Sequence, residues 1–291
     1  MHTIMNVLLG LFMALADSVP GVSGGTIAFI MGYYDEFINS LYNIVKGNGE
    51  QKKKAVSFLI KLILGWIVGF ILMVLLLGII FDSHIYEFCS LFIGLSLASI
   101  PLVIKQEWKT IRGRYTHIIF TICGILLVSG ITFLRSNGEY AKIDVTSLNL
   151  FIVVYVIIAA AIAMSAMVMP GLSGSSLLLI MGLYMPIMGA ARGLIKGDFR
   201  NVAVLILYLL GVVIGVVVSI RFIKTFLEKR RSQLIHFIIG LIIGSVYSIF
   251  MGPETLEVPR DSMSLSTFNF LFFCVGCMII YGLEYMKRLN K

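Results

Sequence analysis

Ala16-Asp17-Ser18-Val19-Pro20-Gly21-Val22-Ser23-Gly24-Gly25-Thr26 returns 150 positions later as Ala166-Met167-Val168-Met169-Pro170-Gly171-Leu172-Ser173-Gly174-Ser175-Ser176. The likeness continues through Ile30-Met31-Gly32 and Tyr34 against Ile180-Met181-Gly182 and Tyr184. Proline, glycine and serine thus interrupt two apolar stretches at matching places. Within a bilayer such breaks are tolerated only where protein or a cavity satisfies the freed backbone groups. Where two halves of a membrane sequence carry corresponding breaks, the breaks point to the binding site.

The rest of the chain supplies the bilayer setting. Hydrophobic residues make up 59% and charged residues 13%, against about 25% charged in an average soluble domain. Apolar runs at 56–81, 86–104, 116–134, 149–169, 201–220, 234–251 and 268–286 each approach the roughly 20 residues a spanning helix needs. The expected fold is therefore an all-α polytopic membrane protein. A shorter run at about 4–16 has no small-x-small cleavage site before the Pro-Gly break, so it is expected to belong to the mature fold and not to a signal peptide.

The net charge of +8 is not the footprint of a nucleic-acid partner. It collects in short loops: Lys46 and Lys52–Lys54; Lys105, Lys109, Arg112 and Arg114; Arg221, Lys224 and Lys229–Arg231; Lys287, Arg288 and Lys291. That is the distribution by which basic loops stay in the cytoplasm, with at most a secondary attraction to anionic head groups. Cys274-x-x-Cys277 has metal or redox spacing, but no histidine or second pair accompanies it, so helix packing is expected and no metal or covalent cofactor. His84, His117 and His236 lie at the ends of apolar runs, where an interfacial position suffices.

Two halves are expected, 1–136 and 137–291, forming one transmembrane domain. Gly65-x-x-x-Gly69 matches Gly211-x-x-x-Gly215, and Gly94-Leu95 with Ser99 matches Gly240-Leu241 with Ser245. The Gly-x-x-x-Gly pairs suit close helix approach. Each half reads as a Pro-Gly-broken re-entrant helix pair followed by three transmembrane helices. Three is odd, so the second half should be inverted relative to the first. With both termini and loops 46–55, 105–115 and 221–233 in the cytoplasm, only the basic loop 192–200 falls awkwardly outside.

Each break suits an anion. The residue before proline is pushed out of the helical region, and Ser23 can cap a helix starting near Gly24. The first amides of that helix have no internal partner and carry a partial positive charge, the arrangement that binds phosphate or carboxylate. Candidate phosphate contacts are Ser18, Gly21, Ser23, Gly24, Gly25 and Thr26 in the first loop, with Gly171, Ser173, Gly174, Ser175 and Ser176 in the second. The alternative is that the hydroxyls cap their own helices. Asp17 breaks the symmetry, since Met167 stands opposite it. A carboxylate within a membrane segment is costly and commonly functional, which makes Asp17 the candidate for carrying a proton or sodium ion. Glu36 and Arg192 are accessory candidates. Asp35 and Glu36 are expected near the end of the re-entrant helix, where Lys61 or a head group could partner them.

Residues 16–26 followed by Gly32-Tyr33-Tyr34-Asp35-Glu36-Phe37 resemble the signature of a bacterial family of polyprenyl-phosphate (undecaprenyl-phosphate) translocases. Pro170–Ser176 fits its second motif, and the resemblance covers nearly the whole chain. It implies a transporter, a flippase that returns undecaprenyl phosphate from the outer to the cytoplasmic leaflet of the bacterial inner membrane for cell-wall synthesis. Alternating access around two facing loops would carry the lipid, with no resident cofactor, with the polyprenyl phosphate lipid and the bilayer as partners, and with homo-oligomerisation left open. A rival is the polyprenyl-diphosphate phosphatase of the bacitracin-resistance type, whose motif is Pro-Gly-x-Ser-Arg-Ser-x-x-Thr. Its arginine position holds Gly24 in one half and Gly174 in the other. Phosphoryl transfer relies on a fixed cation to stabilise developing charge, so the glycines argue for a carrier and against an enzyme. A small inorganic-anion transporter satisfies the helix-end physics equally well.

Overall fold

The interrupted stretches and the long apolar runs become helices of very different lengths. The computed structural model describes residues 2–17, 23–76, 84–137, 145, 149–195, 197–255 and 260–289. The first half contains α1 (His2–Asp17), α2 (Gly24–Ile30), α3 (Tyr34–Lys46), α4 (Gly49–Leu76), α5 (Ile85–Gln106), the short α6 (Trp108–Ile111) and α7 (Ile118–Asn137). The second contains α8 (Leu150–Val168), α9 (Gly174–Ile180), α10 (Tyr184–Ile195), α11 (Val202–Lys229), α12 (Arg231–Phe250) and α13 (Phe270–Leu289). No strand occurs among the described residues. Six helices, α4, α5, α7, α8, α11 and α12, are long and apolar enough to cross a bilayer.

One break was not anticipated. The limb after each Pro-Gly loop is divided, with α2 and α9 only 7 residues long. Gly32 and Gly182 adopt φ of 73° and 69°, a conformation that costs glycine little. The Tyr33 amide donates back to the Ala28 carbonyl at 2.8 Å, and Leu183 to Leu178 at 2.9 Å. These are the bonds of a glycine-terminated helix end. Asp35 and Glu36, expected near the end of the helix that follows the loop, instead lie in the first turn of a separate amphipathic helix, α3.

The helices pair in a pattern that repeats between the halves. Contacts of α1 with α4 are matched by α8 with α11, and those of α5 with α13 by α12 with α7. The same residues recur at the crossings. A Cβ at Gly65 would overlap the Val7 carbonyl and one at Gly211 the Ile157 carbonyl; Gly69 meets Leu11 as Gly215 meets Ala161. Gly94 lies against Phe273 as Gly240 lies against Thr121, and Gly276 against Leu91 as Gly124 against Phe237. Small residues let backbones touch where side chains gain nothing by leaving lipid.

Burial separates the helices into a centre and a rim. In α5 and α12, 61% and 67% of the most apolar segment is buried, compared with 17% in α7 and 28% in α11. The rim exposes Ile63, Ile67 and Ile71 on α4, Ile119 and Leu126 on α7, and Leu209 and Val213 on α11. A belt of large apolar side chains this extensive would be untenable in water; it is the surface of a multi-pass membrane protein.

Candidate functional site

The two motifs meet in the structure. The Thr26 hydroxyl accepts from the Gly171 amide at 2.7 Å, and the Ser23 hydroxyl donates to the Met167 carbonyl at 3.3 Å. The buried Tyr34 hydroxyl donates to the Val168 carbonyl at 3.2 Å. Gly25 lies so close that a Cβ there would sit 3.1 Å from the Val168 carbonyl oxygen and 3.4 Å from the Pro170 nitrogen. Gly171, at φ of 84°, turns against Leu241 of α12. Residues about 145 apart in the chain thereby form one joined pair of loops.

The amides at the start of α2 are already engaged. Gly24 donates to Asp17 Oδ1 at 2.6 Å, Gly25 to the Ser23 hydroxyl at 3.2 Å, and Thr26 to the Ser23 carbonyl at 2.9 Å. Ser23 therefore caps its own helix, as the capping alternative anticipated. Asp17 supplies the negative charge that orphan amides favour. Its other oxygen accepts from the Trp66 indole of α4 at 3.3 Å. Gly24 fits closely beside it: a Cβ there would approach Asp17 Oδ2 to 2.7 Å, so the carboxylate would have to shift from its two hydrogen bonds.

Asp17 also reaches a cavity of about 210 Å³ that opens onto the second loop. Ser173 and Gly174 line it, with Met164 and Met167 of α8, Tyr184 of α10 and Tyr208 of α11. Two tyrosines, a serine and an aspartate line an otherwise apolar chamber. Among the described residues lining it there is no lysine, arginine or histidine. Ser23, Gly24, Gly25 and Thr26 are engaged in contacts within and between the joined loops, while Ser173 and Gly174 of the second loop line the cavity.

The remaining candidates are placed as follows. Ser18 and Gly21 lie outside the described residues. Ser175, Ser176 and Arg192 fall on α9 and α10, but their side chains are outside those described. Glu36 is exposed in the first turn of α3. The Asp35 carboxylate meets Arg231 of α12 at 2.7 Å, not Lys61. Arg231 also holds Glu107, its Nε lying 3.1 Å from Glu107 Oε2, and Glu107 accepts from Thr110 at 2.9 Å. His236, in the second turn of α12, is buried within the protein, and its Nδ1 lies 2.7 Å from the Ser232 carbonyl. Cys277 lies with its Sγ 3.5 Å from the Gly94 carbonyl, within a helix crossing.

Trp66, Tyr208, Glu107 and Arg231 were not singled out from the sequence. An indole N–H inside an apolar run needs a partner, and Asp17 is an acceptor from an apolar stretch; that pairing was available as a signal for Trp66. Arg231 carried no such signal, since it stands among neighbouring basic residues.

A family model described as VCA0040-like, undecaprenyl phosphate translocase-like, matches residues 13–267. A protein of Vibrio cholerae named polyprenyl-phosphate transporter is 32% identical over 290 residues, covering 93% of this chain and 88% of its own length. One of Staphylococcus aureus with the same name is 31% identical over 252 residues, covering 86% of this chain and 87% of its own. No solved structure matches the chain. With its paired loops and the family model spanning both, the chain belongs to the undecaprenyl phosphate translocase-like family.

Proposed function

We propose that this protein transports polyprenyl phosphate, specifically undecaprenyl phosphate, from the outer to the cytoplasmic leaflet of the bacterial inner membrane. The single observation that carries the proposal is the chamber where Asp17 faces Ser173 and Gly174 beside the joined loops. The names of the two relatives supply the substrate class. The phosphate would enter against Ser173 and the start of α9, and rearrangement of the loops would bring the equivalent groups of the first loop, Ser23–Thr26, to the other side. The repeated contacts of α1–α4 with α8–α11 and of α5–α13 with α12–α7 support two halves exchanging roles, related as inverted repeats.

Asp17 would couple this exchange to a proton or sodium ion. As a carboxylate it holds the Gly24 amide and repels a phosphate from the chamber; neutralised, it would keep an acceptor for that amide, more weakly, and lose the repulsion. No step of cleavage is assigned, because neither loop offers the fixed cation that phosphoryl transfer uses.

The test uses purified protein in liposomes carrying fluorescent polyprenyl phosphate, with loss of outer-leaflet signal to an impermeant quencher as readout. A parallel sample with polyprenyl diphosphate is assayed for released phosphate. Protein-dependent exchange between leaflets without phosphate release is expected. Phosphate release without exchange would make the protein an enzyme. Neither signal, with or without a gradient, would favour a small-anion pathway.

A further inference from the structure

Two departures from the sequence repeat, one in each half, meet at the same chamber. Met167 stands where the first half has Asp17. With the spacing of 146 that aligns Gly65 with Gly211, Tyr208 stands where the first half has Leu62, a buried core residue. Asp17 and Tyr208 both line the cavity of about 210 Å³, and Tyr184 of α10 lines it with them.

The tyrosines of the protein differ in what holds their hydroxyls. Tyr34, the repeat counterpart of Tyr184, is buried and donates to the Val168 carbonyl at 3.2 Å. Tyr155 of α8 donates to the Met181 carbonyl at 2.9 Å. Tyr184 and Tyr208 are half-buried, and neither hydroxyl is bonded to another described residue. Asp17, the carboxylate on the same chamber, is already held by Gly24 and Trp66. A hydroxyl withdrawn from water costs free energy unless it is hydrogen-bonded. Two such phenols, carried by different helices, share a mainly apolar chamber with Ser173. The terminal oxygens of a phosphate are strong acceptors and complement a set of hydroxyl donors. Hydrogen bonds to such an anion are roughly twice as strong as those between neutral groups.

We propose that Tyr184 and Tyr208 are head-group ligands, their hydroxyls donating to the phosphate from α10 and α11 beside Ser173. This role rests on the head-group site proposed above and deepens it, with neutral donors standing where a fixed cation would otherwise be needed. It also makes the two halves unequal as phosphate sites. In the first half Leu62 replaces Tyr208 and the Tyr34 hydroxyl is held by Val168, so the second half binds the phosphate more tightly.

The experiment measures the Kd of the purified protein for fluorescent polyprenyl phosphate and for the matched fluorescent polyprenol, which lacks the phosphate. Tyr184→Phe and Tyr208→Phe each remove one hydroxyl. Each is expected to raise the Kd for the phosphate about tenfold and to leave that for the alcohol unchanged. Tyr155→Phe, whose hydroxyl is already paired within the protein, should leave both unchanged. Unaltered phosphate binding in both chamber variants would overturn the role of the phenols while leaving the head-group site standing. Equal losses for phosphate and alcohol would make the two rings packing residues and overturn it as well. No preference for phosphate over alcohol in the unmodified protein would remove the head-group site and its ligands together. A spectroscopic readout avoids dependence on the folding of the phenylalanine variants. With ring-fluorinated tyrosine in place of Tyr184 or Tyr208, the fluorine resonance should shift on adding farnesyl phosphate and not on adding farnesol. The same shift with both compounds would overturn the proposal.

Discussion

Asp17 is tied at both oxygens, to the Gly24 amide at 2.6 Å and the Trp66 indole at 3.3 Å. Its charge therefore serves two ends, holding the start of α2 and setting the electrostatics of the chamber beside Ser173. Asp17→Asn keeps the shape and removes the charge. If Asp17 carries the coupling ion, this change should alter the pH or sodium dependence of liposome transport more than it alters head-group affinity; unchanged dependence on both would end that role. Gly24→Ala makes a sharper steric test. The added methyl would press on the Asp17 carboxylate, so transport should fall about tenfold or more while Gly130→Ala, where a Cβ meets nothing within 4 Å, should be close to neutral.

At the scale of elements, the start of α12 is anchored to two parts of the first half through one guanidinium. Arg231 holds Asp35 of α3 and Glu107 between α5 and α6. The Arg231 side chain is 34% exposed, so its loss should cost less than the several kcal/mol of a fully buried pair. Arg231→Gln is expected to lower stability by about 1–2 kcal/mol, read as a fall in melting temperature in detergent. Burial pushes the Glu107 carboxyl up, but the hydrogen bonds and charge of Arg231, with the Thr110 hydroxyl, outweigh it and hold the carboxyl below its ordinary value. A carboxyl depressed in the folded state contributes stability that is present above its unfolded pKa and lost as pH falls through the folded one. Melting temperature should therefore drop on acidification below about pH 4, and Glu107→Gln should flatten that part of the profile. The glycine crossings make the other element-scale prediction. Gly65→Val or Gly211→Val forces a side chain into a facing carbonyl and should cost about 1–3 kcal/mol or more.

For the whole molecule, the question is how the halves sit across the bilayer. In loop 192–200, Arg200 and Asp198 form an exposed pair at 2.6 Å, and the hydrogen bonds and charge of Arg200 pull the Asp198 carboxyl down to about 2. The loop's basic residues, which set orientation largely regardless of neighbouring carboxylates, still argue against an external position for it. With inverted halves, cysteines introduced at Lys53 and Arg114 should react with an impermeant maleimide only from the cytoplasmic side, and one at Asp198 only from outside. Labelling of all three from one side would undo the inversion.

The apolar runs determined the helical, bilayer-spanning character of the chain, since hydrophobic length and backbone satisfaction leave few other solutions. The duplicated Pro-Gly-Ser segments marked two loops, and the repeated glycines marked the crossings at Gly65, Gly69, Gly211 and Gly215. All of these are local properties, written in consecutive residues or fixed spacings. What the tertiary structure alone decided is which groups satisfy which. The Gly24 amide is filled by Asp17 and not left to an external anion; Thr26 reaches across to Gly171; Arg231 serves Asp35 and Glu107. The division of the segment after each Pro-Gly loop at Gly32 and Gly182 also lay beyond pattern reading, because the same glycine is tolerated inside a membrane helix unless a particular turn calls for positive φ. Partners separated by 49 residues, as Asp17 and Trp66 are, or by 196, as Asp35 and Arg231 are, meet only once helices pack, and packing depends on side-chain shapes that no spacing along the chain records.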